Sequence, residues 1–200
     1  MQYRVLLTMA LCVALVSCSG DKSEMDRFID DLMSKMTVEE KISQLLYNSP
    51  AIERLGIKEY NWWNEASHGI ARAGIATVFP HAIGMAATFD KNLVNTVADA
   101  ISTEARAKYN KSIEFGDRDI YKGLTYWAPN INIFRDPRWG RGHETFGEDP
   151  FLTATLGTAF IDGIQGKGDF LKAAAYAALS SSLNAATFWR AVANLCCASN

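Results

Sequence analysis

Residues 90–109 constrain the fold of this chain more than any other stretch. Leu93, Val94, Val97, Ala98, Ile101 and Ala105 recur there at helical spacing, and Asp90 supplies a side-chain cap for the first turn. Further on, LTYWAPNINIF (124–134) is rich in β-type residues, although Pro129 confines the strand to part of it. Asp149-Pro150 then opens a second helix with Pro at its first position, and Leu152, Leu156, Phe160 and Ile164 continue it to Gly166. Helices that alternate with short apolar strands across long loops indicate a βα-repeating chain with a parallel sheet. The expected class is α/β.

Upstream, Phe28, Ile29, Leu32 and Met36 mark a helix over 26–36. Thr37 and Glu40 form a capping-box pattern ahead of another helix, whose inner face is Val38, Ile42, Leu45 and Leu46. Residues 56–90 lack a period and read as loops with one short strand near 75–79; 111–122 is charged and reads as a loop. No internal repeat is present. At 200 residues the chain is long enough for one domain or for part of a larger one.

The first 18 residues have the form of an export signal. Arg4 precedes an apolar run that is too short to span a membrane, and Leu15-Val16-Ser17-Cys18 resembles the lipobox of bacterial lipoproteins. The expectation is a lipoprotein signal over 1–18, lipidation at Cys18, a polar tether over 19–24, and a body exported to the periplasm or cell surface that meets the membrane only through its lipid anchor. The net charge of −2 gives no electrostatic case for nucleic acid. The four cysteines are Cys12, Cys18, Cys196 and Cys197, so residues 19–195 hold neither a disulfide framework nor a cysteine metal site.

Two stretches have the composition of a site. WWNEASHG (62–69) gathers Trp62, Trp63, Glu65 and His68; tryptophan faces suit flat, partly apolar ligands such as sugars, and equally serve core packing. Residues 135–150 hold three arginines, His143 and four carboxylates directly after the expected strand. In an α/β barrel the loops at the C-terminal ends of strands build the active site. Arginines there bind ligand oxygens in pairs or orient a carboxylate; for Asp136, Arg138 and Glu148 the expectation is that the charges pair with one another. His68, His81 and His143 lie far apart without metal-ligand spacing, so no metal is expected. Carboxylates suited to glycosidase acid and base work are available, but spacing does not select a pair from Glu65, Glu144 and Glu148.

WWNEASHG, TVFPHAIGMAATFD and WAPNINIFRDPRWGRGHETFGEDPFLTATLG, in that order, resemble the N-terminal barrel domain of glycoside hydrolase family 3, and its β-xylosidase and β-glucosidase members in particular. The resemblance covers 25–177. It implies a (β/α)8 TIM barrel of which only the N-terminal part is present, and exo-acting, retaining hydrolysis of β-xylosides or β-glucosides in plant oligosaccharides. Such chemistry uses two carboxyl groups about 5 Å apart and no cofactor. By the same resemblance Glu65 is a substrate-binding acid that accepts hydrogen bonds from sugar hydroxyls far from C1, where many members have the shorter Asp. Arg141 is the matching sugar-binding arginine, with bracing of Glu144 or Glu148 as its structural alternative. His143 stands where many members carry Gln or another polar residue, and is given no role.

Departures from the family are also visible. A complete barrel needs about 250 residues. After 172–177 (KAAAYA) the family continues with a sugar-binding Lys-His pair, where this chain has Ala178-Leu179. Residues 178–200 resemble nothing in the family, and one choice of codons for the expected Lys-His continuation, read two bases late, gives Ala178 to Leu183, which suggests a reading-frame error or a natural frameshift. No catalytic residue is therefore assigned: the expected nucleophile and acid/base belong to regions that this chain does not match, and the 200 residues alone are expected to be inactive. The alternative expectation is a non-catalytic sugar-binding lipoprotein fragment.

Overall fold

The structure, a computed structural model, describes residues 24–168 and 170–176. The signal segment with Cys18 and the tail from 178 onward lie outside the described residues. Two compact units, Met1–Lys35 and Met36–Asn200, divide the chain. In the first, α1 (Glu24–Lys35) begins with Glu24 and Asp26 and ends with Lys35, charges that complement the helix dipole. Lys35 also pairs with Asp31 at 2.6 Å, one turn away.

The second unit begins with α2 (Val38–Ser43), capped as the sequence implies. The Thr37 hydroxyl accepts from the Glu40 amide at 3.2 Å, and the Glu40 carboxylate accepts from the Thr37 amide at 2.8 Å. Its expected inner face is a correction. Val38, Ile42, Leu45 and Leu46 are all more than half exposed, while Gln44 is buried, its side-chain amide donating to the Pro50 carbonyl at 2.8 Å. The helix stops at Ser43, so Leu45 and Leu46 never join its face. Next, β1 (Asn48–Ser49) and β2 (Tyr60–Asn61) form an antiparallel pair.

The expected strand near 75–79 is absent. This segment is a loop with Ile75 and Val78 exposed. Its backbone bonds leave in two directions: the Phe79 amide donates to the His68 carbonyl, and the Thr77 amide to the Glu104 carboxylate. A short helix, α3 (Ala82–Ala86), follows where only loop was expected.

Helix α4 (Lys91–Glu114) is capped by Asp90, whose carboxylate accepts from the Asn92 and Leu93 amides. It runs past 109, so the expected loop over 111–122 begins only after Glu114. Val94, Ala98, Ile101 and Ala105 are buried; Leu93, expected among them, is 45% exposed. Helix α5 (Pro150–Gln165) packs along α4 and buries Leu156, Phe160 and Ile164. Gly163 permits this close approach, because a Cβ there would meet the Asn95 carbonyl oxygen and the Ala98 side chain. Ser102 stitches the pair by donating to the Gly163 carbonyl at 2.9 Å.

The parallel pair is β3 (Thr125–Tyr126) and β4 (Ala174–Ala175), in register Thr125↔Ala174 and Tyr126↔Ala175. Strand β3 ends ahead of the cis Ala128–Pro129 bond. A further parallel bridge joins Asn64 to Tyr126 on the other side. The order β3–α5–β4 is a βαβ unit, which supports the α/β class, since parallel neighbours need a crossover of about this length. The full (β/α)8 barrel is not seen: the described residues form two two-stranded sheets and no closed ring. Arg106 of α4 ties β4 down, donating to the Leu171 and Lys172 carbonyls at 2.7 and 2.9 Å.

Candidate functional site

Three chain segments run parallel through Asn64, Tyr126 and Ala175, and the residue after each stands at the same edge: Glu65, Trp127 and Tyr176. Asn64 fixes this arrangement. It is 2% exposed, its amide nitrogen donates to the Asn61 and Thr125 carbonyls at 3.2 and 3.0 Å, and its amide oxygen accepts from the Gly123 amide at 2.8 Å. The WWNE corner is thereby riveted to β3, and Glu65 is set at the strand ends.

The Glu65 carboxylate accepts from the Ser67 amide at 2.7 Å. Burial pushes its carboxyl above the usual carboxylate range, the Ser67 and Ala66 amides oppose this, and the charge of Glu144 adds to it. Trp63 and Trp127 stack beside this corner with ring centroids 4.7 Å apart; Trp62 lies 5.6 Å from Trp127 on centroids and Tyr176 lies 6.2 Å. Trp62 is held by its indole N–H, which donates to the Leu46 carbonyl at 2.8 Å. The Trp127 indole N–H is buried and finds no acceptor among the described residues.

Arg141 precedes a 3₁₀ turn, Gly142–Glu144, and grips Glu144 through two parallel bonds, Nε to Oε1 at 2.9 Å and Nη2 to Oε2 at 2.6 Å. That grip depresses the Glu144 carboxyl and raises the Arg141 guanidinium, which also feels the charge of Glu65. Gly142 is required at the start of the turn, because a Cβ there would run into the Phe134 ring. Asp136 and Arg138 form a second bidentate pair in the same loop, as expected, with Nε to Oδ1 at 2.9 Å. Glu148 is exposed.

The histidines are where sequence reasoning fell short. His81 lies against His68 with centroids 3.9 Å apart, and against His143 at 4.7 Å. His68 Nδ1 is 3.1 Å from the Phe79 carbonyl oxygen, while His81 Nδ1 is buried without a partner among the described residues. Burial lowers the His81 imidazole below its usual range, and the neighbouring histidines add to that. Each of the three motif segments contributes one of these rings, and that was the one available signal. Among the described residues no group of three His, Cys, Asp or Glu side chains converges in a way that would hold a metal ion. A cavity of about 240 Å³ lies elsewhere, lined by Ile70, Tyr109, Tyr121 and Tyr126 together with lysines; neither Glu65 nor Arg141 lines it.

Residues 35–181 match the glycosyl hydrolase family 3 N terminal domain, and the chain belongs to that family. It is 46% identical over 178 residues to a xylan 1,4-beta-xylosidase of Xylanibacter ruminicola, covering 84% of this chain and 21% of that protein. It is 49% identical over 146 residues to the probable beta-D-xylosidase 7 of Arabidopsis thaliana, covering 68% and 18%. Among solved structures it is similar to a family 3 exo-beta-xylosidase in complex with a xylobiose aziridine activity-based probe, at TM-score 0.68 and 33% identity, covering 83% of this chain and 22% of that one. The chain thus spans about a fifth of the length of these relatives.

Proposed function

We propose that this chain carries the sugar-recognition part of an exo-acting, retaining β-glycosidase that acts on β-xylosides, with β-glucosides as the second substrate class. The observation that supports this best is the shared edge. A half-buried carboxylate, Glu65, stands at the ends of parallel strands beside stacked tryptophans, and the exposed guanidinium of Arg141, at the head of the 3₁₀ turn, feels its charge. An ionised carboxylate accepts two charge-assisted hydrogen bonds from adjacent hydroxyls, and a guanidinium donates in a fixed fork. Together they fix the orientation of a sugar ring without touching its reacting carbon.

Glu in place of Asp sets the preference for xylose in this account. The extra methylene carries the carboxylate further into the space where a hexose places its C6 hydroxymethyl group. The test is Glu65→Asp in an enzyme carrying a complete family barrel: the ratio of glucoside to xyloside kcat/KM rises. An unchanged ratio refutes the assignment.

The described carboxylates near Arg141 favour binding over cleavage. Both oxygens of Glu144 are engaged by Arg141, and Glu65 accepts from the Ser67 amide. The 200-residue chain is therefore proposed to bind sugar and to turn over no aryl β-xyloside; measurable turnover by the purified chain contradicts this. Export and anchoring through a lipidated Cys18 belong to the same proposal, and Cys18→Ala is expected to move the protein from the membrane fraction to the aqueous one.

A further inference from the structure

Ala105, Lys108, Tyr109 and Ser112 follow one another at helical spacing and so share one face of α4. That face is one wall of the cavity of about 240 Å³, which the loop at Ile70 and Ala73 and the turn from Tyr121 into β3 close. We propose that this cavity is a second binding site, separate from the Glu65 corner, for a small aromatic carboxylate: one six-membered ring that bears one negative charge.

The lysines set the charge of the ligand. Lys111 and Lys122 line the cavity already paired with acids, Lys111 with Glu114 at 2.7 Å and Lys122 with Asp117 at 3.2 Å. Lys108 lines it with no carboxylate partner among the described residues. Its ammonium donates instead to the Ala73 carbonyl at 3.1 Å and to the Ile75 carbonyl. Glu104, one turn back along α4, accepts from the Thr77 amide. An ammonium carries three donors, so one remains after the two carbonyls. A ligand carboxylate takes that donor and supplies the counter-charge that no bonded acid supplies to Lys108.

The rest of the wall sets the ring. Tyr109, Tyr121, Tyr126, Ile70 and Ala105 make the lining largely aromatic and apolar, the ordinary composition of a small-molecule site with a few polar groups for orientation. At about 30 Å³ for each water, the cavity holds about eight water-sized groups. That suits a single ring with a carboxylate and excludes a disaccharide. Lys111 is largely exposed, so the cavity reaches solvent on its side. The rim is held in a costly backbone shape. Arg72 and Tyr121, with φ 57° and 66°, are non-glycine residues in the left-handed region, and they meet, the guanidinium lying 5.4 Å from the centre of the Tyr121 ring. Strain of this kind persists only where the surroundings hold it, and it gathers at ligand clamps. Here the Tyr121 amide donates to the Trp63 carbonyl at 3.2 Å, which pins the turn that carries this wall residue.

The test is calorimetric titration of the full 200-residue chain with 4-hydroxybenzoate at pH 7. The expected result is saturable binding of one molecule per chain. Affinity is about tenfold lower for the uncharged 4-hydroxybenzyl alcohol and for Lys108→Met, because each loses the charge-assisted bond. Lys108 also anchors the 73–75 loop, so Tyr121→Gly is the companion variant. Glycine adopts the left-handed backbone of this position without strain, which keeps the turn while removing the aromatic wall. Affinity is expected to fall about tenfold there too. Excess xylose is expected to leave the affinity of the parent chain unchanged. No binding, equal affinity for the alcohol, or undiminished affinity in either variant overturns the proposal. Competition by xylose also overturns it, because the acid would then sit at the sugar site.

Discussion

Replacing Asn64 tests whether the WWNE corner is riveted to β3 as described. The side chain is buried and makes three hydrogen bonds: to the Asn61 carbonyl at 3.2 Å, to the Thr125 carbonyl at 3.0 Å and from the Gly123 amide at 2.8 Å. At about 1 kcal/mol net for each bond, Asn64→Ala costs about 3 kcal/mol. In a domain of this size that lowers Tm by about 6–12 °C. Asn64→Asp is the sharper variant, because its shape is unchanged. Its one oxygen still accepts from Gly123, but the other faces two carbonyl oxygens, and only the protonated acid has a hydrogen to donate there. The folded state therefore favours the protonated form, and the folded-state pKa of the new Asp lies above its unfolded value. A group raised in this way binds more protons folded than unfolded, so stability falls as pH rises from about 4, the ordinary aspartate value, through the folded pKa. The assay is thermal unfolding at pH 4 and pH 7, each referenced to the parent chain. The expected result is a penalty for Asn64→Asp that is small at pH 4 and approaches that of Asn64→Ala at pH 7. A penalty for Asn64→Asp independent of pH, or a loss below about 1 kcal/mol in Asn64→Ala, refutes the reasoning.

Three further outcomes follow from the same structure. Burial raises the Glu65 carboxyl, so ionising it weighs against folding once pH exceeds the ordinary carboxylate range. Glu65→Gln keeps an acceptor for the Ser67 amide and is expected to raise Tm at pH 7 relative to the parent, with the difference shrinking by pH 4; a difference that grows on acidification contradicts this. Phe160 of α5 is fully buried, and Phe160→Ala is expected to cost about 3–5 kcal/mol. Ile42→Ser, on the exposed face of α2, is expected to stay within about 0.5 kcal/mol of the parent in denaturant melts. A large loss at Ile42 would show that this face is covered in solution.

Local chemistry was the legible part of this fold. Thr37 with Glu40, Asp90, and Asp149 followed by Pro150 each announce a helix start, because a cap needs only residues three positions away. The burial of Leu156, Phe160 and Ile164 followed from their spacing, since α5 has a partner along its length. The same spacing misled at Val38, Ile42, Leu45 and Leu46, because periodicity states which residues share a face and not whether anything covers it. Residues 75–79 have strand-like composition, but their backbone amides found His68 and Glu104 instead of a neighbouring strand. Within the site, Glu65 and Arg141 were reached by resemblance, and the structure brings them within electrostatic reach of each other. The role of Asn64 and the meeting of the three histidines were not legible, because each depends on contacts across a dozen or more residues that no local spacing encodes.

The central claim, that Glu65 and Arg141 together recognise a sugar, is tested most directly by the thermal unfolding of the 200-residue chain with increasing xylose. The expected result is a saturable rise in Tm that sorbitol does not reproduce and that Arg141→Ala, an exposed substitution, abolishes without lowering the Tm of the free protein. No rise with xylose, or an equal rise in Arg141→Ala, would contradict it.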